Sequence, residues 1–266
     1  MSDTPVGPRS PAVLRVRKVA QVKTRDRARV WLVEGPQACR EAARYAEVSE
    51  LFATDDAAAR YDDIVAAVRV RGGQVHRSDE RAVAALSTAV SPQGMVAVVN
   101  PPAHSLAAAV HAGARLVVTL AQVRDPGNAG AVVRVADAVG ADGVLVTPDS
   151  VDVGNPKVIR SSAGSLFHVP VVPDVEVAEA ISAARNAGLQ VFAADGNGEP
   201  LGPAIPLAAP TMWVFGNEAW GLPTSISELC DRVVALPIYG KAESLNLATA
   251  AAVCLYASAG AQRLAQ

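Results

Sequence analysis

Short apolar runs alternate with amphipathic stretches along nearly the whole chain, and the alternation sorts into two groups. In the first, "RVWLVEG" (29–35) reads as a strand running into a helix over 36–46. "ELFAT" (50–54) precedes a helix over 55–70, "QVHRS" (74–78) precedes one over 79–87, and "GMVAVVN" (94–100) closes a small βαβ-type domain. "NPPAHS" (100–105) interrupts the pattern with two prolines and predicts a linker over 101–111. In the second group, strands are predicted at 114–123, 143–148, 168–172, 189–195, 211–217 and 232–238. Helices are predicted at 128–139, 155–164 and 175–187, and a last one begins at Leu245 and continues past Tyr256. These strands are continuously apolar rather than alternating, which predicts a parallel sheet covered on both faces. The chain therefore reads as α/β: an arm over 1–28, a small α/β domain over 29–100, the linker, and a larger parallel-sheet domain over 112–266.

Charge sharpens this picture more than composition does. Half of the 266 residues are apolar and the formal charge is only −2. Yet residues 1–29 carry eight basic and two acidic side chains, a net +6, which leaves −8 on the remainder. A basic, flexible arm on a mildly acidic body suits an anionic partner such as nucleic acid, and equally a solubilising tail. Cys39, Cys230 and Cys254 are too scattered for a zinc site or a disulfide framework, which predicts no metal and a reducing, cytoplasmic setting. The N-terminus lacks the apolar core of a secretory signal. The uncharged stretch 244–262 is of membrane length but Ala-rich, with Asn246, Thr249 and Gln262, and reads as a buried helix rather than a membrane segment.

Ligands of open α/β sheets bind beyond the carboxyl ends of the strands, and three such ends are chemically unusual. In "AQVRDPGNAGAVVRVADAV", Asn128 sits at a helix entry and Arg134 about two turns in. Val132, Val133 and Val135 surround Arg134, which argues against a plain solvated position. In "WVFGNEAWGLP", Gly216 permits close backbone approach, Glu218 offers a carboxylate and Gly221 permits a turn. Glu218 stands where a dinucleotide fingerprint needs its middle glycine, so a nicotinamide-dependent oxidoreductase is disfavoured, and no phosphate-binding P-loop occurs. In "LPIYGKAESLNLATAAAV", Glu243, Ser244 and Asn246 crowd a helix start, where one cap would suffice. The apolar Leu236, Ile238 and Leu247 beside them could enclose a flat ring, or simply pack in the core.

Taken in this order, the segments resemble the three motifs of the SpoU (TrmH-type) family of RNA ribose 2′-O-methyltransferases, in the SPOUT superfamily. The matching residues are Asn128, Gly130 and Arg134; Gly216, Glu218 and Gly221; and Pro237, Gly240, Ser244, Leu245 and Asn246. The resemblance covers roughly 114–262, and Trp220 is bulkier than the pattern usually carries. Residues 30–99, with "VEGPQACREA" and "SPQGMVAVV", resemble more diffusely the family's substrate-binding domain, which is similar to small ribosomal RNA-binding proteins.

The resemblance implies a deep trefoil knot in the C-terminal domain, although knots are nearly absent from folds. It implies an obligate homodimer, and S-adenosylmethionine held by Gly216, Leu236, Ile238, Ser244, Asn246, Leu247 and the strand end at Ala194. It assigns the chemistry to Arg134, with Asn128, Glu218, Ser244 and Asn246 orienting it. The expected substrate is ribosomal RNA of the large subunit, then transfer RNA. Candidate phosphate contacts are the arm over 9–29, Arg124, Lys157 and Arg160. The competing reading is a non-catalytic RNA-binding or ribosome assembly factor, against which the intact Arg134 and Ser244-Leu245-Asn246 argue.

Overall fold

The computed structural model describes residues 5–19 and 30–265. It resolves into two compact units. The first takes the chain up to Pro102 together with Gly154–Phe167; the second takes Ala103–Val153 and His168–Gln266.

The first unit is built on a four-stranded sheet ordered β1-β4-β2-β3, with β1 at Trp31–Glu34, β2 at Glu47–Ala53, β3 at Gln74–Arg77 and β4 at Met95–Asn100. β4 runs antiparallel to both neighbours, while β2 and β3 are parallel. Helix α2 (Pro36–Tyr45) connects β1 to β2. The single helix expected over 55–70 is two, α3 (Asp55–Arg60) and α4 (Asp62–Val70). The break falls at Tyr61, whose backbone leaves the helical region. Asp62 and Asp63 then open a new first turn, where acidic groups suit the helix dipole. Helix α5 (Glu80–Leu86) follows β3.

The N-terminal stretch departs from the expected flexible arm over 1–28. Residues 11–19 form helix α1 (Pro11–Val19), and Val6 bridges to Ser78. Val13 and Val16, three apart and hence on one helical face, are buried against Phe52, Val83 and Leu86. Arg15 between them, and Arg17 and Lys18 just beyond, hid that apolar stripe in the sequence. Arg15, on the same helix, makes two hydrogen bonds of 2.8 Å to the Glu50 carboxylate of β2. Residues 1–4 and 20–28 of the expected arm lie outside the described residues.

The second unit is a six-stranded, wholly parallel sheet ordered β10-β8-β9-β5-β6-β7. Its strands are β5 (Leu116–Leu120), β6 (Gly143–Val146), β7 (Val171–Val172), β8 (Gln190–Pro200), β9 (Thr211–Phe215) and β10 (Arg232–Ala235). β5, β6 and β9 are buried at every position, as continuously apolar strands predict. Part of the expected linker is helix α6 (Leu106–Ala109), whose Ala109 is in the core. The remaining helices are α7 (Pro126–Val139), α9 (Val177–Asn186), α10 (Thr224–Ser227) and α11 (Leu247–Leu264). The buried Trp213 of β9 donates its indole N–H to Ser258 of α11 at 2.8 Å, so its one polar group is satisfied. Helix α8 (Pro156–Ser162) belongs by its contacts to the first unit, although the pattern places it inside the larger domain. There Arg160 donates to Glu34 and Thr88, both at 3.3 Å.

Candidate active site

Three loops at the carboxyl ends of β5, β9 and β10 converge. After β5 the chain turns through Gln122, a non-glycine residue at φ 55°, into α7. Asp125 caps that helix by accepting from the Asn128 N–H at 2.8 Å. After β9, Asn217 and Gly221 exchange backbone hydrogen bonds of 3.0 and 2.9 Å, closing a tight hairpin. A Cβ at Gly216 would lie 2.5 Å from the Gly221 backbone, and Gly221 itself has φ +71°, so both glycines are steric requirements. The Asn217 amide donates to the Gln122 carbonyl at 2.8 Å, lacing the two loops together.

The third loop, 236–246, is irregular until Asn246 caps α11, its side-chain oxygen accepting from the N–H groups of Ala248 and Thr249 at 2.9 and 3.3 Å. The cap is thus Asn246 and not Ser244. The same Asn246 donates its amide N–H to the Asn128 side-chain oxygen at 2.9 Å, and Asn128 donates to Glu218 at 3.0 Å. One polar chain, Asn246 to Asn128 to Glu218, therefore ties all three loops. Its direction is set at both ends. The Asn246 oxygen is engaged by the helix, so its nitrogen must face Asn128; the Glu218 carboxylate can only accept.

Beside this chain lies a cavity of about 430 Å³. Gly216, Glu218, Ser244 and Asn246 line it, as do the apolar Leu236, Ile238 and Leu247. Ala194 contributes through a register jump. β10 pairs with β8 at Phe192 and Ala193, then again at Glu199 and Pro200, while β8 pairs with β9 only as far as Ala194. Asp195–Gly198 thus lie outside both ladders, and Ala194, Asp195 and Gly196 face the cavity. Asp195, Phe215, Asn217 and Cys254 also line it. Sequence reasoning missed these four; the only signal was that Asp195 ends a strand and Asn217 follows one. Burial pushes the Cys254 thiol up to about 12, leaving it protonated and inert.

Arg134 does not join this group. It stands exposed on α7, absent from the cavity wall, and its side chain forms no hydrogen bond or ion pair among the described residues. Six residues of helix carry it about 9 Å along and roughly 240° around from Asn128. The neighbouring Val132 and Val133 are buried while Arg134 is not, so the position is solvated after all. Of the other expected phosphate contacts, Arg160 is engaged by Glu34, and Arg124 lies over the Trp220 ring.

Residues 115–256 match the SpoU rRNA Methylase family, and residues 32–105 match the RNA 2′-O ribose methyltransferase substrate binding family. The chain belongs to the SpoU rRNA methylase family. Among relatives of this SpoU chain is the 23S rRNA (guanosine(2553)-2′-O)-methyltransferase RlmP of Bacillus subtilis, 32% identical over 90% of this chain and 92% of that one. The 23S rRNA (uridine(2479)-2′-O)-methyltransferase of Streptomyces viridochromogenes is 38% identical over 62% of this chain and 60% of its own length. Among solved structures, the SpoU methyltransferase AviRb from Streptomyces viridochromogenes in complex with AdoMet superposes with a TM-score of 0.85 at 29% identity, covering 96% of this chain and 99% of that one. An AdoMet-bound rRNA methyltransferase from Sinorhizobium meliloti gives 0.84 at 28% identity, covering 96% and 97%.

The residues present fit an adenosine-bearing, positively charged ligand. The cavity falls within the range of small-molecule sites. Leu236, Ile238 and Leu247 supply apolar walls, and Asp195, Glu218 and Glu243 supply negative charge. The backbone between residues 237 and 245 makes no hydrogen bonds among the described residues, so its donors and acceptors are open to the edge of a purine. No cluster of three or more metal-ligating side chains occurs among the described residues.

Proposed function

We infer that this protein is an S-adenosylmethionine-dependent methyltransferase acting on a ribose 2′-hydroxyl of 23S ribosomal RNA. The observation that carries the reading is the hydrogen-bonded chain Asn246–Asn128–Glu218 at the lip of a cavity with apolar walls and acidic residues, in a SpoU-family chain. S-adenosylmethionine, when bound, supplies a methyl group activated on a sulfonium, so the leaving group is good and the hydroxyl nucleophile is poor. What this chain must add is position and charge. Leu236, Ile238 and Leu247 would grip the adenosine. Glu218, fixed by Asn128, presents a carboxylate at the lip, and Ser244, whose hydroxyl has no partner among the described residues, is free to bind the ribose or the cofactor.

Arg134 is assigned to the target phosphate and the developing alkoxide, not to proton removal, because a guanidinium stays protonated. The proton leaves to the nucleotide's phosphate or to water. Its exposed, unpaired state on α7 suits a group awaiting RNA.

The same reading includes the trefoil knot, a homodimer and a cytoplasmic setting. In support of the dimer, α11 buries one face in its own unit while Val253 and Tyr256 on the other remain exposed, Tyr256 at 57%. No helix among the described residues is long and apolar enough to cross a membrane. Transfer RNA is the second substrate reading.

The deciding experiment offers labelled S-adenosylmethionine with ribosomal RNA, and separately transfer RNA, from cells lacking this protein. Label in ribosomal RNA that disappears with Arg134→Ala supports the reading. Label confined to transfer RNA replaces the substrate; cofactor binding without label in either pool points to a substrate that exists only during assembly, and absence of cofactor binding as well favours the non-catalytic assembly-factor alternative.

A further inference from the structure

We propose that Trp220 is a nucleobase-stacking platform on the rim of the cavity, taking an unpaired base of the RNA next to the nucleotide that reacts. This rests on the reading of the cavity as a methyl-transfer site for RNA.

Trp220 lies in the hairpin that closes between Asn217 and Gly221, both of which line the cavity. Its own ring is not part of the wall. It stands outside, 53% exposed, and its indole N–H has no hydrogen-bond partner among the described residues. The other large aromatics of this sheet, Phe192, Trp213 and Phe215, are all fully buried. Leaving an indole in water on a short loop forgoes the burial that normally accounts for tryptophan.

The ring is nevertheless held in place. The Arg124 guanidinium lies 5.1 Å from its centroid, and Arg124 has no carboxylate partner among the described residues. The loops bearing the two residues are laced by Asn217 to Gln122 at 2.8 Å and by Asn128 to Glu218 at 3.0 Å. The backbone at Gln122, two residues before Arg124, sits in the left-handed region, a conformation that surrounding contacts must enforce. The result is a flat π-face fixed on one side by a cation and open on the other, two residues from Glu218. A base stacks on such a face whatever its identity, and the unpaired guanidinium can reach an adjoining phosphate. A 2′-hydroxyl can enter the cavity only if its nucleotide is splayed from the helix, and a platform at the rim holds its neighbour while that happens.

The test uses the full-length protein with Trp220→Leu, which keeps apolar bulk without a π-face, and Trp220→Phe, which restores one. In methyl transfer to ribosomal RNA, Trp220→Leu should raise KM for RNA on the order of ten-fold or more, and Trp220→Phe by about three-fold or less. S-adenosylmethionine affinity should be unchanged in both. In a Trp31→Phe background, a short oligoadenylate should quench the fluorescence of the protein that keeps Trp220 but not that of Trp220→Phe, since Trp213 is buried. A wild-type KM in Trp220→Leu overturns the proposal, as does quenching that survives in Trp220→Phe. Conversion to a lower oligomer by Trp220→Leu also overturns it, by making the indole a subunit contact. Because quenching needs no turnover, an inactive wild type whose fluorescence still responds through Trp220 would refute the methyltransferase reading and leave the platform standing.

Discussion

Asn246 holds two jobs in one side chain, and they can be separated. Its oxygen caps α11 and its nitrogen fixes Asn128. Asn246→Asp keeps the capping oxygen, so the unfolding free energy should stay within about 0.5 kcal/mol, while losing the donor should cut kcat. Asn246→Ala loses both, and should lower stability by about 1 kcal/mol as well. Equal stability losses in the two variants, read by denaturant unfolding, would show that the cap does not rest on that oxygen. Arg134→Ala is expected to slow turnover by about 10²–10⁴-fold with cofactor affinity kept. Near-normal single-turnover rates in that variant would remove Arg134 from the chemistry. The sequence pointed to the Asn, Glu, Ser and Asn of this site because their spacing is a motif. It could not show that Asn128 is the middle of a hydrogen-bonded chain, since 118 positions separate it from Asn246. Nor could it show which way Arg134 points, because valines next to a residue in sequence occupy other faces of the helix than its own.

Among the elements, the strands were the most legible. Unbroken apolar runs suit strands covered on both faces, and "LVVTL" and "TMWVF" became the buried β5 and β9 within two or three residues of the expected ends. Helix α1 was illegible because Val13 and Val16, helped by the half-buried Ala12, carry its apolar face among five positions that are charged or exposed. Its anchor is Glu50. Burial opposes ionisation of that carboxyl, yet hydrogen bonds from Arg15 and from His76, at 2.9 Å, outweigh it and hold the carboxyl below its usual range. A carboxylate depressed in the folded state stabilises at pH values above its unfolded pKa, and that contribution is lost as pH falls through the folded one. Glu50→Gln should therefore destabilise the protein by roughly 1–3 kcal/mol at neutral pH. The gap to wild type should close as the pH drops below the carboxylate range. A gap that is constant with pH would mean the glutamate acts through packing alone.

For the whole molecule, the apolar residues left on α11 predict a mass in solution twice the 27.4 kDa of one chain, and Tyr256→Asp should return it to one. Light scattering that finds a single chain in the wild type would refute the dimer. Burial raises the thiols of Cys39 and Cys254 to about 12 and that of Cys230 to about 11. Iodoacetamide at pH 8 should consequently leave the native protein almost unlabelled and modify all three cysteines once it is unfolded; prompt native labelling would contradict the packing. One further consequence follows from the register jump between β8 and β10. Asp195–Gly198 belong to neither ladder, and the Asn197 N–H is held by the Asp195 side chain, at 3.0 Å, rather than by a neighbouring strand, so exchange with deuterium should be faster here than at Phe192 and Ala193, which are locked in the sheet. Because the excursion begins on the cavity wall, filling the cavity should slow exchange at these few positions first. The fold carries in that excursion a gauge of occupancy, readable by mass spectrometry with no RNA in the tube.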